Sequence, residues 1–238
     1  MELWVFLLVL YGMTSVYGRK KRLLLNDADF IGRLTQLETT VALQAETIAK
    51  LQTAVHSSQN TGSTFIRWGR KQCPDNTSEL IYSGFAGGSH YTENGAAAEY
   101  VCLPPDPNFD KRTNGDETYI GHMYGAEYEF NFFAADSMDE DVPCALCRSF
   151  KSTTIMIPAK NICYNSWTLQ YHGYLASGYW DHPAATSYVC VDSNVEWLNA
   201  GAANMNGKLF YNVAARCGSL QCPPYINNYP LTCVVCSK

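Results

Sequence analysis

The chain has 238 residues, 47% hydrophobic and 13% aromatic, with 17 Lys and Arg against 22 Asp and Glu. That composition is globular. The net charge is −5, and beyond residue 60 the count is 11 Lys and Arg against 17 Asp and Glu. Such a surface repels phosphate backbones and argues against nucleic acid as a partner.

In chain order, Met1 to Gly18 reads as a signal peptide cleaved after Gly18. Its apolar run, Leu3 to Leu10, falls well short of the roughly 20 residues that span a bilayer. The usual positive flank is missing, which leaves an N-terminal anchor as the competing reading. Arg19-Lys20-Lys21-Arg22 follows. Four adjacent cations repel one another and stay solvated, so residues 19–22 are either a furin-type processing site or a basic spacer. No later segment is long and apolar enough to cross a membrane.

Residues 23–57 contain Gly32 as their only glycine and no proline or cysteine. Apolar residues recur in alternating steps of four and three. Leu34, Val41, Ile48 and Val55 fall at heptad position a; Phe30, Leu37, Gln44 and Leu51 fall at d. The spacing predicts an α-helical coiled-coil stalk about 50 Å long. β-Branched residues at a with Leu at d favour a dimer, while Leu34, Phe30 and Gln44 depart from that rule. A single amphipathic helix is the alternative. Residues 58–63 read as a hinge.

All ten cysteines follow the hinge: Cys73, Cys102, Cys144, Cys147, Cys163, Cys190, Cys217, Cys222, Cys233 and Cys236. Behind a signal peptide, an even number predicts full oxidation. Four of them recur after 88–90 residues, as Cys73/Cys163, Cys102/Cys190, Cys144/Cys233 and Cys147/Cys236. Local words recur with them. Tyr82-Ser-Gly-Phe85 matches Tyr171-His-Gly-Tyr174, and Tyr100-Val-Cys102 matches Tyr188-Val-Cys190. The head therefore reads as two related halves, 64–150 and 151–238. Cys144 and Cys147 are expected to reach Cys73 or Cys102. Cys233 and Cys236 are expected to reach Cys163 or Cys190, with exchange between halves still open. Cys217 and Cys222 are expected to close their own small loop.

Short segments rich in Val, Ile, Tyr and Thr, such as Thr153–Ile157, Ser187–Val191 and Leu231–Val235, are bounded by Gly, Pro and Asn clusters. They predict a mainly β, disulfide-rich head of two related sheets. The CxxC pairs invite a zinc or redox reading, but an oxidising compartment and matched cysteines elsewhere argue for disulfides. No G-x-S-x-G or assembled triad is present, so no catalytic residue, cofactor or metal is assigned and no enzyme activity is expected. The acidic run Asp136–Asp141 lacks the EF-hand spacing and reads as a solvated loop. Asn76-Thr77-Ser78 is an N-glycosylation sequon. His90-Tyr91 and Tyr179-Trp180-Asp181-His182 follow the matched Tyr-x-Gly words. They are a candidate ligand platform of aromatic faces with polar partners, or else ordinary turn residues.

Several stretches together carry a family resemblance: Thr64–Pro74 (TFIRWGRKQCP), Gly84–Pro107, Gly125–Phe130 (GAEYEF), Val142–Cys147 (VPCALC), Ile155–Cys163, Trp167–Tyr174 and Leu231–Cys236. In these the head resembles the C-terminal non-collagenous domain of sponge short-chain (spongin-type) collagens and similar invertebrate secreted proteins. The resemblance implies an extracellular, matrix-associated role and carries over no enzymatic site. Gly-X-Y repeats are absent, so no collagen triple helix forms. The heptad stalk stands where family members carry collagen, which makes a trimer the natural expectation. The expected function is a secreted, oligomeric matrix or adhesion protein. The alternative is a soluble lectin-like protein whose clustered heads bind glycans or microbial surfaces.

Overall fold

The structure, a computed structural model, describes residues 28–55, 61–109, 119–199 and 201–238. The expected signal peptide (1–18), the basic run (19–22), both ends of the stalk (23–27 and 56–57) and the first half of the hinge (58–60) lie outside the described residues. Contacts divide the chain into two units, Met1–Asn60 and Thr61–Lys238.

In the first unit, residues 28–55 form one helix, α1. Glu46 and Lys50 pair one turn apart at 2.8 Å, in the favourable order with the acid N-terminal. Thr35, Thr39, Thr40, Thr47 and Thr53 each donate a hydroxyl to the carbonyl four residues back. Those bonds satisfy the hydroxyls within the helix but give it no tertiary support. The apolar a and d side chains are all exposed, from 45% for Leu34 to 64% for Phe30.

The second unit is mainly β. Its first half carries β1 (Ser63–Trp68), β2 (Ser78–Gly88), β3 (Val101–Leu103), β4 (Tyr124–Tyr128) and β5 (Pro143–Ser149). Its second half carries β6 (Thr154–Pro158), β7 (Thr168–Ser177), β8 (Val189–Asp192), β9 (Lys208–Asn212) and β10 (Thr232–Ser237). Each strand of the second half begins 84–91 residues after its counterpart. The antiparallel pairings β1–β5, β2–β5, β2–β3 and β2–β4 recur as β6–β10, β7–β10, β7–β8 and β7–β9.

The two related sheets sharing an interface that the sequence predicts are joined more closely than that, by strand pairing. One mixed sheet of ten strands runs β6-β10-β7-β8-β1-β5-β2-β4-β9, with β3 branching from β2. Parallel pairing joins the halves at Trp68↔Val191 and along Ala126↔Lys208 to Tyr128↔Phe210. The cores are shared as well. Trp68, Tyr128 and Val142 pack with Val191 and Phe210 in one cluster; Phe65 and Cys147 pack with Tyr171, Leu175 and Val235 in the other. Apolar burial favours this merging, because both clusters are lined by residues of both halves.

The repeated words have physical reasons. Tyr82 donates its hydroxyl to the Cys102 carbonyl at 2.7 Å, and Tyr171 donates to that of Cys190 at 2.9 Å. A Cβ on Gly84 would sit 2.0 Å from the Leu103 carbonyl oxygen; one on Gly173 would sit 1.8 Å from that of Val191. Only glycine permits such close strand approach. Gly69 ends β1 at φ +85°, and a Cβ there would meet the Tyr128 hydroxyl at 2.8 Å.

Five disulfides tie the head: Cys73–Cys147, Cys102–Cys144, Cys163–Cys236, Cys190–Cys233 and Cys217–Cys222. Among the described residues, no cysteine is free. The four repeated bridges stay within their halves, so partners are not exchanged. By loop length, each long-range bridge restricts the unfolded chain by about 4 kcal/mol and the small loop by about 2. Between the halves, the Arg67 Nε donates to Asp192 Oδ2 at 2.7 Å. Among the described residues, no helix is long and apolar enough to cross a membrane.

Candidate functional site

The matched words place equivalent loops after β2 and β7, residues 89–98 and 178–187. Backbone bonds stitch them together. Ala184 N–H donates to the Tyr91 carbonyl at 3.1 Å, and Ser187 N–H to that of Ala98 at 3.0 Å. Tyr91 N–H in turn donates to the Gly207 carbonyl at 3.2 Å. Lys208, only 1% exposed, reaches from β9 to donate to the carbonyls of Ala97 and Ala98 at 3.3 and 3.2 Å. Its ammonium lies 5.0 Å over the Tyr100 ring, and burial lowers its pKa.

This stitching assembles the sequence-predicted platform. His90 and Tyr91 stack at 4.6 Å, and Tyr91 meets His182 at 4.5 Å. His182 meets Tyr179 at 5.2 Å, and Tyr179 meets Trp180 at 5.4 Å. Asp181 is exposed between Trp180 and His182. All six named residues thus lie along one ridge contributed by both halves.

The ridge continues into residues outside the words repeated between the halves. Tyr124 of β4 packs on His90 at 5.1 Å, and His122 on Tyr124 at 6.0 Å. Tyr211 of β9 touches both Tyr179 and His182, and Phe130 touches Tyr211 at 5.4 Å. β4 and β9 occupy equivalent places in the two halves, but no shared word marks them. Topology alone brings their rings to the ridge.

Carboxylates accompany the rings. His122 Nδ1 donates to Glu93 Oε1 at 2.6 Å, and this bond holds the Glu93 carboxyl below its usual range. Burial, with the neighbouring Asp139 and Glu127 charges, raises the Glu129 pKa. Burial first, and then the Glu129 charge, pushes the Tyr211 hydroxyl up to about 12. His182 titrates below its ordinary value because of burial, opposed by Asp181. Its Nδ1 and Glu129 Oε2 are buried with no hydrogen-bond partner among the described residues.

The acidic run is less solvated than expected. Asp139 N–H donates to the Tyr128 carbonyl at 2.7 Å, and Tyr128 N–H to that of Glu140 at 3.0 Å. The run is therefore a turn packed on β4. Beside it Glu127, 3% exposed, accepts bonds at Oε1 from the Met205 and Asn206 amides, and its Oε2 has no partner among the described residues. Among the described residues, no group of three or more His, Cys, Asp or Glu is arranged to hold a metal ion.

Asn76 lies exposed at φ 65° between β1 and β2, while Ser78 of its sequon donates to the Pro74 carbonyl at 3.0 Å. The cysteines of both CxxC motifs are consumed in disulfides, which leaves no thiolate for zinc or redox chemistry there. Compared with known proteins, the chain matches no family model and no curated protein.

Proposed function

We propose that this is a secreted, non-enzymatic, oligomeric matrix or adhesion protein, in which a coiled-coil stalk built on α1 assembles copies and the disulfide-bonded head docks on extracellular partners. The observation that carries the reading is the heptad seam of α1, apolar at seven of its eight positions between Phe30 and Val55 and exposed in the single chain. Burying one such Leu, Ile or Val is worth about 1.5–3 kcal/mol, so repeated layers favour assembly strongly. Fully bridged cysteines support an oxidising, extracellular compartment. The resemblance to short-chain collagen domains supports a matrix role and a trimer in place of a collagen helix.

Sedimentation equilibrium of the secreted chain tests this. A trimer or dimer mass is expected, falling to a monomer in Ile48→Asp/Leu51→Asp. An unchanged mass in that variant would rule out the stalk as the assembly device. The competing lectin-like reading is favoured by the exposed aromatic ridge, whose faces suit sugar stacking. A glycan array separates the readings. Specific sugar binding lost in Trp180→Ala favours recognition; co-assembly into insoluble matrix without sugar binding favours structure.

A further inference from the structure

The ridge joins nine rings in unbroken contact, from His122 through Tyr91 and His182 to Trp180 and Phe130. Its outer faces stay open: Trp180 is 80% exposed, and Tyr124, Phe130 and Tyr179 are exposed as well. Carboxylates stand along the rings: Asp181 is exposed beside Trp180, Glu129 lies by Tyr211, and Glu93 is bonded to the ridge's own His122. Lys208, which anchors the same loops, is buried and spent on two carbonyls. Among the described residues, Arg and Lys lie over Tyr100, Tyr164 and Tyr171, and none lies over a ridge ring.

An electron-rich ring attracts a cation through its quadrupole, and carboxylates at the rim steer the same charge toward it. Anionic glycans would meet repulsion from these carboxylates. A neutral sugar would gain stacking but nothing from the charge. We propose that the ridge docks the Arg and Lys side chains of a basic segment in an extracellular partner protein. This rests on the reading of the head as a docking unit and names the chemistry of what it docks. A guanidinium suits the site better than an ammonium, because its plane stacks on an aromatic face while its edge faces a carboxylate.

The test titrates the full-length chain with fluorescent octa-arginine, with chitopentaose and heparin in parallel. Binding of octa-arginine is expected to weaken with salt. Trp180→Ala should weaken it about fivefold or more, and Asp181→Asn should act in the same direction. Both changes are at exposed positions and leave the core intact. Asp75→Asn, which removes an exposed charge off the ridge, should leave affinity nearly unchanged. Equal losses in Asp75→Asn and Asp181→Asn, with none in Trp180→Ala, would reduce the binding to net charge and overturn the proposal. So would Trp180-dependent binding of chitopentaose or heparin without binding of octa-arginine. Repeating the titration on Ile48→Asp/Leu51→Asp separates this proposal from the stalk: octa-arginine binding should persist there per head, whatever the sedimentation result.

Discussion

The Arg67–Asp192 pair offers a test of whether the halves form one cooperative unit. Asp192 is 2% exposed at its side chain and Arg67 14%, so the pair is largely out of water. Besides Asp192, Arg67 donates to the Gln72 carbonyl at 3.0 Å, and Asp192 Oδ1 accepts the Asn194 amide at 2.8 Å. The pair stands beside Trp68↔Val191, where β1 of one half meets β8 of the other. Arg67→Met keeps most of the aliphatic stem but leaves the Asp192 charge buried and uncompensated. Breaking such a pair costs about 3–5 kcal/mol. For a head spanning Thr61–Lys238, an unfolding entropy of about 0.4 kcal/mol/K turns that loss into a Tm drop of about 8–13 °C. Arg67→Met/Asp192→Asn removes the stranded charge and keeps an acceptor for Asn194, so it should lose only about 1–2 kcal/mol. Trp68, Trp167, Trp180 and Trp197 all lie in the head, so near-ultraviolet circular dichroism reads it directly, with disulfides intact and at fixed chain concentration. A single variant within about 0.5 kcal/mol of the parent, or a double variant no more stable than the single, would refute the reasoning.

The glycines of the repeated words should be irreplaceable: Gly173→Ala and Gly84→Ala should each destabilise the head by at least about 1–3 kcal/mol in denaturant titrations, the cost of overpacking, whereas Gly125→Ala, with open space at its Cβ, should be tolerated. Glu127, Glu129 and Asp141 all have carboxyls raised by burial. The folded head therefore holds protons that the unfolded chain releases, and stability should fall as pH rises from the ordinary carboxylate values through the raised ones. His182, lowered in the fold, opposes this below its ordinary value of 6.5 by favouring unfolding as pH drops. Tm measured against pH should flatten in Glu127→Gln, and a slope unchanged by that substitution would exclude Glu127 as a source. Lys208→Met should speed amide exchange at Ser187, whose N–H bonds to the Ala98 carbonyl, while core amides hold; a uniform increase across the head would contradict the anchoring role of its two loop bonds.

Disulfide pairing was largely legible because cysteine spacing repeats, and a bridge that works in one half works in its copy. The strands were legible for a similar reason: Thr153–Ile157, Ser187–Val191 and Leu231–Val235 overlap β6, β8 and β10 in turn, as short apolar runs between breakers should. What was not legible is how the copies meet. Parallel pairing of β4 with β9 depends on residues more than 80 positions apart, and its strands carry no common word. That pairing brings Phe130 to Tyr211, which β7 in turn holds beside Tyr179 through Ser177↔Tyr211. Buried Lys208 was also hidden, since nothing local distinguishes it from a solvated lysine; its environment is made by Tyr100 and two distant carbonyls.

Comparing the halves with each other separates what the fold requires from what it leaves free. Tyr82 and Tyr171, Gly84 and Gly173, and the four matched cysteine positions keep residue type, and each serves a mechanical purpose. The tyrosines place a hydroxyl on a half-cystine carbonyl, the glycines allow a close strand approach, and the cysteines form a bridge. At the 89-residue offset of those glycines, His90 and Tyr91 stand opposite Tyr179 and Trp180, and Glu93 opposite His182. The scaffold thus brings equivalent loops together without dictating their side chains. One contributes His90, Tyr91 and Glu93, the other Tyr179, Trp180, Asp181 and His182, so the same position holds different residue types in the two copies. A purely structural seam between copies would be satisfied by matched side chains, or by rings that bury one another. Here Trp180 projects 80% into solvent and Tyr179 40%, area that adds little to packing at the place where the loops converge. Exposed aromatic surface concentrated there is better explained by contact with something outside the chain.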